Sequence, residues 1–160
     1  MSNKYKPHIL VLPEDEANIH IANGFVLHPN LNDRAIQVLP PLRGWKNVVK
    51  SFTDDHAPEM RKYSHRRIVL FIDFDDDENR LSYVESHIPD DLKARVFVLG
   101  VLSEPEHLKR ESKKTFEEIG EALAKDCSDN TSKLWGHNLL KHNKPELDRM
   151  ATCIKPFLFK

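Results

Sequence analysis

Four short, nearly unbroken apolar runs constrain this 160-residue chain more than any other feature of it. They are His8–Pro13 (HILVLP), 35–39 (AIQVL), 67–73 (RIVLFID) and 95–101 (RVFVLGV). Each is too short for a core helix, and each is rich in Val, Ile and Leu. A strand with one wet face would alternate apolar and polar residues, and these do not. Such runs belong to strands covered on both faces, as in a parallel sheet between helical layers.

The connections are long enough for crossover helices. Residues 14–25 place Ala17, Ile19, Ile21, Ala22 and Phe25 on a helical face, and 45–52 place Trp45, Val48, Val49 and Phe52 at the spacing of an amphipathic helix. Residues 78–87 offer Leu81 and Val84, followed by Ile88, before Pro89 stops the helix. From Glu104 onward only helical periods occur, over 105–113, 115–127, 133–142 and 145–157, with a turn signal at 128–130. The expectation is one layered α/β domain over 1–160, with a mostly parallel four-stranded sheet flanked by helices and a helical C-terminal tail.

Composition narrows the function classes. The 24 basic and 25 acidic side chains nearly cancel, whereas a dedicated nucleic-acid binder carries a strongly basic balance. Cys127 and Cys153 lie far apart, in no metal-like spacing. The polar opening 1–7 reads as no export signal, and no stretch approaches the ~20 apolar residues of a membrane span. A cytoplasmic protein with free thiols and no membrane partner is expected.

The chemistry concentrates where the third run ends. Five of the six residues Asp73, Phe74, Asp75, Asp76, Asp77 and Glu78 are acids. In open α/β sheets ligands bind outside the carboxyl ends of the strands. Carboxylates crowded there repel one another unless a cation neutralises them, and Mg²⁺ held by one or two carboxylates is the natural remedy. Asp76, Asp77 and Glu78 have a plainer role as the acidic start of the next helix, with Asp76 or Asp77 as its N-cap. An EF-hand is excluded, because its glycine position is Glu78, its twelfth position is Val84, and a strand precedes the loop. A second acidic group, Glu14, Asp15 and Glu16, ends the first run. It reads equally as a companion site, with Glu14 as general acid/base beside a metal, and as a helix N-terminus.

Together these signals resemble the Toprim fold of topoisomerases, primases and the nucleases of the overcoming-lysogenization-defect family. There a glutamate ends the first strand and an Asp-x-Asp pair ends a later one. Here Glu14 closes 9–14 (ILVLPE), and Asp73 and Asp75 close 71–75 (FIDFD). Residues 38–41 and 43–48, around Gly44, resemble the second strand and glycine turn, and 96–99 followed by 103–106 the fourth strand and its acidic end. The resemblance covers 1–110, leaving 111–160 as a helical extension packed on that core. It implies Mg²⁺- or Mn²⁺-dependent phosphodiester chemistry on DNA or RNA. Glu14 would be the general base or a metal ligand, Asp73 and Asp75 metal ligands, and Glu104 or Glu106 an outer contributor. Family members join this domain to an ATPase or a DNA-gripping domain. This chain has no Walker-type loop, so a separate subunit would supply either function. Two positions depart from the pattern: Asp15 stands where a glycine commonly follows the glutamate, and Asn18 where the nuclease branch places an acid. These departures suit a non-catalytic Toprim-like or flavodoxin-like interaction subunit. The acids ending the first run also loosely mimic a receiver-type domain in which Asp73 accepts a phosphoryl group, though no matching strand-end lysine follows.

The remaining polar groups carry weaker signals. Arg61, Lys62, His65, Arg66 and Arg67 form a basic run suited to phosphates but more often a solvated connection. Lys109, Arg110, Lys113 and Lys114 read as surface charge paired with helical acids. His137 and His142 lack metalloprotease spacing and read as structural, and no nucleophile motif is present.

Overall fold

The computed structural model describes residues 4–160, so part of the polar opening 1–7 lies outside the described residues. The four runs form strands β1 (His8–Pro13), β2 (Ile36–Val38), β3 (Arg66–Phe71) and β4 (Val96–Leu99). They make one sheet in the order β2-β1-β3-β4, parallel throughout. Val11 lies opposite Val38 on one side and Val69 on the other, and Phe71 opposite Leu99.

The layered α/β reading is correct, and the burial pattern explains why the runs look continuous. Ile9, Val11, Val69, Phe97 and Leu99 enter one hydrophobic cluster, while Leu10, Leu12, Ile68, Leu70 and Val98 enter a second on the opposite face. Consecutive positions in the middle of β1, β3 and β4 therefore need apolar side chains, while β2 at the edge of the sheet keeps an exposed Gln37.

Helix α1 (Glu16–Val26) and helix α6 (Phe116–Asp129) cover the first face with the chain's C-terminal segments. They cross where each has a glycine. A Cβ on Gly24 would sit 2.0 Å from the Glu117 carbonyl oxygen, and one on Gly120 would sit 1.9 Å from that of Ile21. Backbones this close leave no room for any side chain. Helices α2 (Trp45–Ser51), α3 (Ala57–Lys62) and α4 (Glu78–Ser86) supply the second face with Val48, Met60 and Val84.

Three tail and connection segments differ from expectation. The helix expected over 45–52 does not stop there: a π-helical turn (Phe52–His56) carries it into α3. The extra residue in that turn keeps Phe52, Ala57 and Met60 all buried. No regular α-helix forms over 133–142, which is a series of turns ending in a 3₁₀ segment (Lys141–Asn143). The reason is Asp126, 2% exposed, whose carboxylate accepts from the Thr131 hydroxyl (2.7 Å) and from the backbone N–H of Lys133 (3.1 Å), Leu134 (2.7 Å) and Trp135 (3.1 Å). Those amides are satisfied locally and have no need of a helix. The segment 145–157 divides into α7 (Lys144–Cys153) and α8 (Lys155–Leu158), because Pro156 cannot donate within a continuous helix. Between α4 and α6, α5 (Pro105–Ser112) agrees with its expected span. Among the described residues no helix is long and apolar enough to cross a membrane.

Candidate metal centre

The strand order reverses between β1 and β3: β2 lies on one side of β1, and β3 and β4 follow on the other. Crevices at such reversals, at the carboxyl ends of the strands, are where open α/β sheets bind ligands. Glu14 follows β1 and Asp73 follows β3, so both acids stand at that point.

The ladder continues past the named strands and fixes them there. Glu14 N donates to the Phe71 carbonyl (3.0 Å), and Phe74 N to that of Val101 (3.1 Å). Glu14 turns its carboxylate across to β3, where Oε1 accepts from the Asp73 backbone N–H at 2.8 Å. Asp73 Oδ1 accepts from the Asn18 side-chain amide at 3.0 Å. Asn18 is fully buried, and its own Oδ1 accepts from the backbone N–H of Asp15, the N-cap of α1, at 3.0 Å. Glu14, Asp15 and Asp73 each offer a carboxylate oxygen within 4.8 Å of the others, the first and last buried and Asp15 exposed.

This arrangement is electrostatically unfavourable by itself. Burial raises the Asp73 carboxyl to about 7; the Asn18 hydrogen bond opposes the shift, and repulsion from Glu14, Asp75 and Asp15 adds to it. Glu14 is raised as well, first by burial and then by Asp15, against the hydrogen bond from Asp73 N. Among the described residues none of the three carboxylates forms an ion pair. Oxygens around one Mg²⁺ lie at most about 4.2 Å apart, twice the ~2.1 Å Mg–O bond. Three carboxylate oxygens gathered this closely could hold such an ion once the side chains draw together around it.

The expected residues divide. Glu14 and Asp73 converge, as neighbouring strand ends allow. Asp75 does not join them, although it is near enough to repel both. Two residues share a face only while the chain stays extended, and Asp75 leaves the extended region with φ 48°. Its carboxylate pairs with Arg80 Nη1 at 3.0 Å, and the same nitrogen donates to the Asp73 carbonyl at 2.6 Å. Arg80 is packed over the Trp45 ring, 4.6 Å from its centroid. Glu104 is the exposed N-cap of α5 and lies outside the acidic group, as does Glu106. Asp77 is the N-cap of α4, accepting from Asn79 N at 3.0 Å.

Asp15 is the ligand candidate that reasoning from the Asp-x-Asp pair passes over. Its signal was present as the acid directly after Glu14, at a helix start facing β3. The basic run 61–67 sits at the opposite end of β3, about 20 Å away at ~3.3 Å per residue. Arg61 there is paired with Asp91 (3.0 Å), and buried Arg66 donates to His8 (3.0 Å). The exposed cations on the connection alongside Glu14 are instead Arg43 and Lys46, the former's backbone N–H donating to the Glu14 carbonyl at 2.7 Å. His137 bonds Glu111 (3.2 Å) and the Leu139 N–H (3.0 Å), and His142 meets the Phe74 ring edge-on, so both join structural contacts.

No family model, no curated protein and no solved structure matches this chain.

Proposed function

We propose that Glu14, Asp15 and Asp73 hold a divalent cation, Mg²⁺ or Mn²⁺, for phosphodiester chemistry on nucleic acid. The observation that carries this is the meeting of two buried carboxylates and one exposed one, with no ion pair to any of the three among the described residues, at the reversal point of a parallel sheet. Crowding these acids costs stability, and carboxyls shifted by burial and by one another support a functional reading of the place.

A cation bound there supplies charge stabilisation to a phosphate group. The chain's own residues do the rest. Asp73, fixed by Asn18, and the solvent-facing Asp15 bind and orient. Glu14, with one oxygen held by Asp73 N, keeps its other oxygen to accept a proton from the attacking hydroxyl or water. Arg43 and Lys46 face solvent on the adjoining connection and suit the flanking phosphates. With a net charge of −1, grip on a long substrate falls to a second subunit.

Calorimetric titration of Mn²⁺ into wild type and Asp73→Asn tests the site. Saturable binding lost in the variant, with Mn²⁺-dependent cleavage of single- or double-stranded substrates, is the expected result. Absence of binding in wild type, with substrate phosphates also present, overturns it.

A second reading is favoured by the joining of Asp15 to Glu14: an acid pair just after β1, beside an aspartate just after β3, also suits a receiver-type phosphoacceptor. Beryllofluoride with Mg²⁺ separates the two. Changes confined to the amide signals around Asp73, in a protein that cleaves nothing, would select the phosphoacceptor.

A further inference from the structure

A sizeable cavity lies away from the acids. It has a volume of about 390 Å³, and none of Glu14, Asp15, Asp73, Asp75 or Glu104 lines it. A second space of about 80 Å³ continues inward to Ile9, Val11 and Val69 of the sheet, with a wholly apolar wall. The two share Phe25, Cys127, Trp135, Leu147, Met150 and Leu158, and so form one recess running from the surface to the strands.

Protein interiors pack as densely as organic crystals, and an open cleft of this size reaching in towards the sheet leaves apolar side chains without packing partners. Helix α7 shows this directly. Its Leu147 and Met150 face the core, yet no residue of this ten-residue helix is fully buried. The helix spans the recess without filling it. The volume falls within the ~300–1,000 Å³ of small-molecule sites.

The rim selects the ligand. Lys141, Lys144 and Lys155 line the recess together with Thr131 and Ser132. Two carboxylates stand against three cations. Asp126 is spent on its four internal hydrogen bonds, and exposed Asp148 pairs with Lys144 at 3.1 Å. Lys155 is held by the Asn130 side-chain oxygen, while Lys141 is exposed and makes no ion pair among the described residues. The mouth is thus net positive over an apolar interior. We infer that this recess binds a single-chain amphiphile with an anionic head, a long-chain carboxylate. Its alkyl tail lies against Phe25, Trp135 and Met150, and its carboxylate lies among Lys141, Lys144 and Lys155. Cys127 contributes bulk only, since burial raises its thiol to about 11 and keeps it protonated.

The test is calorimetric titration of dodecanoate, below its aggregation concentration, into the full chain, with dodecanol and dodecyltrimethylammonium as comparison ligands. Saturable 1:1 binding of dodecanoate, at least tenfold tighter than either comparison ligand, is expected. Met150→Trp fills the recess and should abolish binding. The exposed pair Lys141→Glu and Lys144→Glu, which leaves the core untouched, should weaken dodecanoate tenfold or more and spare dodecanol. Wild type that fails to bind dodecanoate, or binds all three ligands alike, overturns the inference. So does a charge-reversed variant that binds dodecanoate as wild type does.

Discussion

Burial and neighbouring carboxylates move the Asp73 carboxyl from 3.8 to about 7, so between those values the folded chain keeps a proton that the unfolded chain has lost. Stability therefore falls as pH rises through that window, and the loss is complete above about 7, at up to ~4 kcal/mol. Asp73→Asn keeps an oxygen for the Asn18 amide and removes the charge. It should stabilise the ion-free protein by about 1–3 kcal/mol near pH 8 and hardly at all near pH 4, as urea unfolding would show. Mn²⁺ should raise the Tm of wild type, more near pH 8 than near pH 5, and leave that of the variant unchanged. Asn18→Asp adds a buried acid in contact with Asp73. Without metal it should cost several kcal/mol near pH 8, a loss that Mn²⁺ partly reverses. At this scale the sequence shows Glu14 and Asp73 plainly, since each ends an apolar run. The exchange of Asp75 for Asp15 is hidden, because it turns on one backbone angle and on the reach of Arg80 from α4.

Among the elements, strands are legible because burial on both faces writes itself into consecutive residues, and all four runs fall within two residues of their strands. The tail is less legible. Asp126 looks like any polar position of α6, yet its carboxylate organises the turns that follow. Burial pushes that carboxyl up, but the hydrogen bonds from Thr131 and the 133–135 backbone outweigh it and hold the group below its usual range. Its stabilising effect is present above 3.8 and is lost as pH falls through the lowered folded value. Asp126→Ala strands several buried amides and should destabilise by about 3 kcal/mol or more, with the amide exchange of Leu134 and Trp135 accelerating most. The crossing of α1 and α6 is equally silent in the sequence, since a lone glycine within a helix most often signals only weakness. Gly120→Ala forces a methyl into the Ile21 carbonyl. It should cost about 3 kcal/mol or more, above the ~1–3 kcal/mol of ordinary overpacking, because backbone atoms stand in the way. Thermal unfolding would read this directly.

Over the whole molecule, the parallel sheet gathers four carboxyl ends on one edge and puts the acids there, while the amphiphile recess opens beneath α7. The basic run and the acidic cluster occupy opposite ends of β3, a separation that linear proximity conceals. Residues 111–160 complete one of the two faces of the sheet: Ile119, Leu123, Leu134 and Ile154 share a cluster with Ile9 and Val69. A fragment ending at 110 should therefore fail to unfold cooperatively and should bind a hydrophobic dye such as ANS, measured by urea titration and fluorescence. The glycine crossing gives this a temporal side. Gly24 and Gly120 lie 96 positions apart, and synthesis proceeds at about 5–20 residues per second. Roughly 5–20 s therefore pass on the ribosome between the two helices that must interlock. Only after β4 has emerged is there a whole sheet to cover, and one of its faces then stays open until α6 follows.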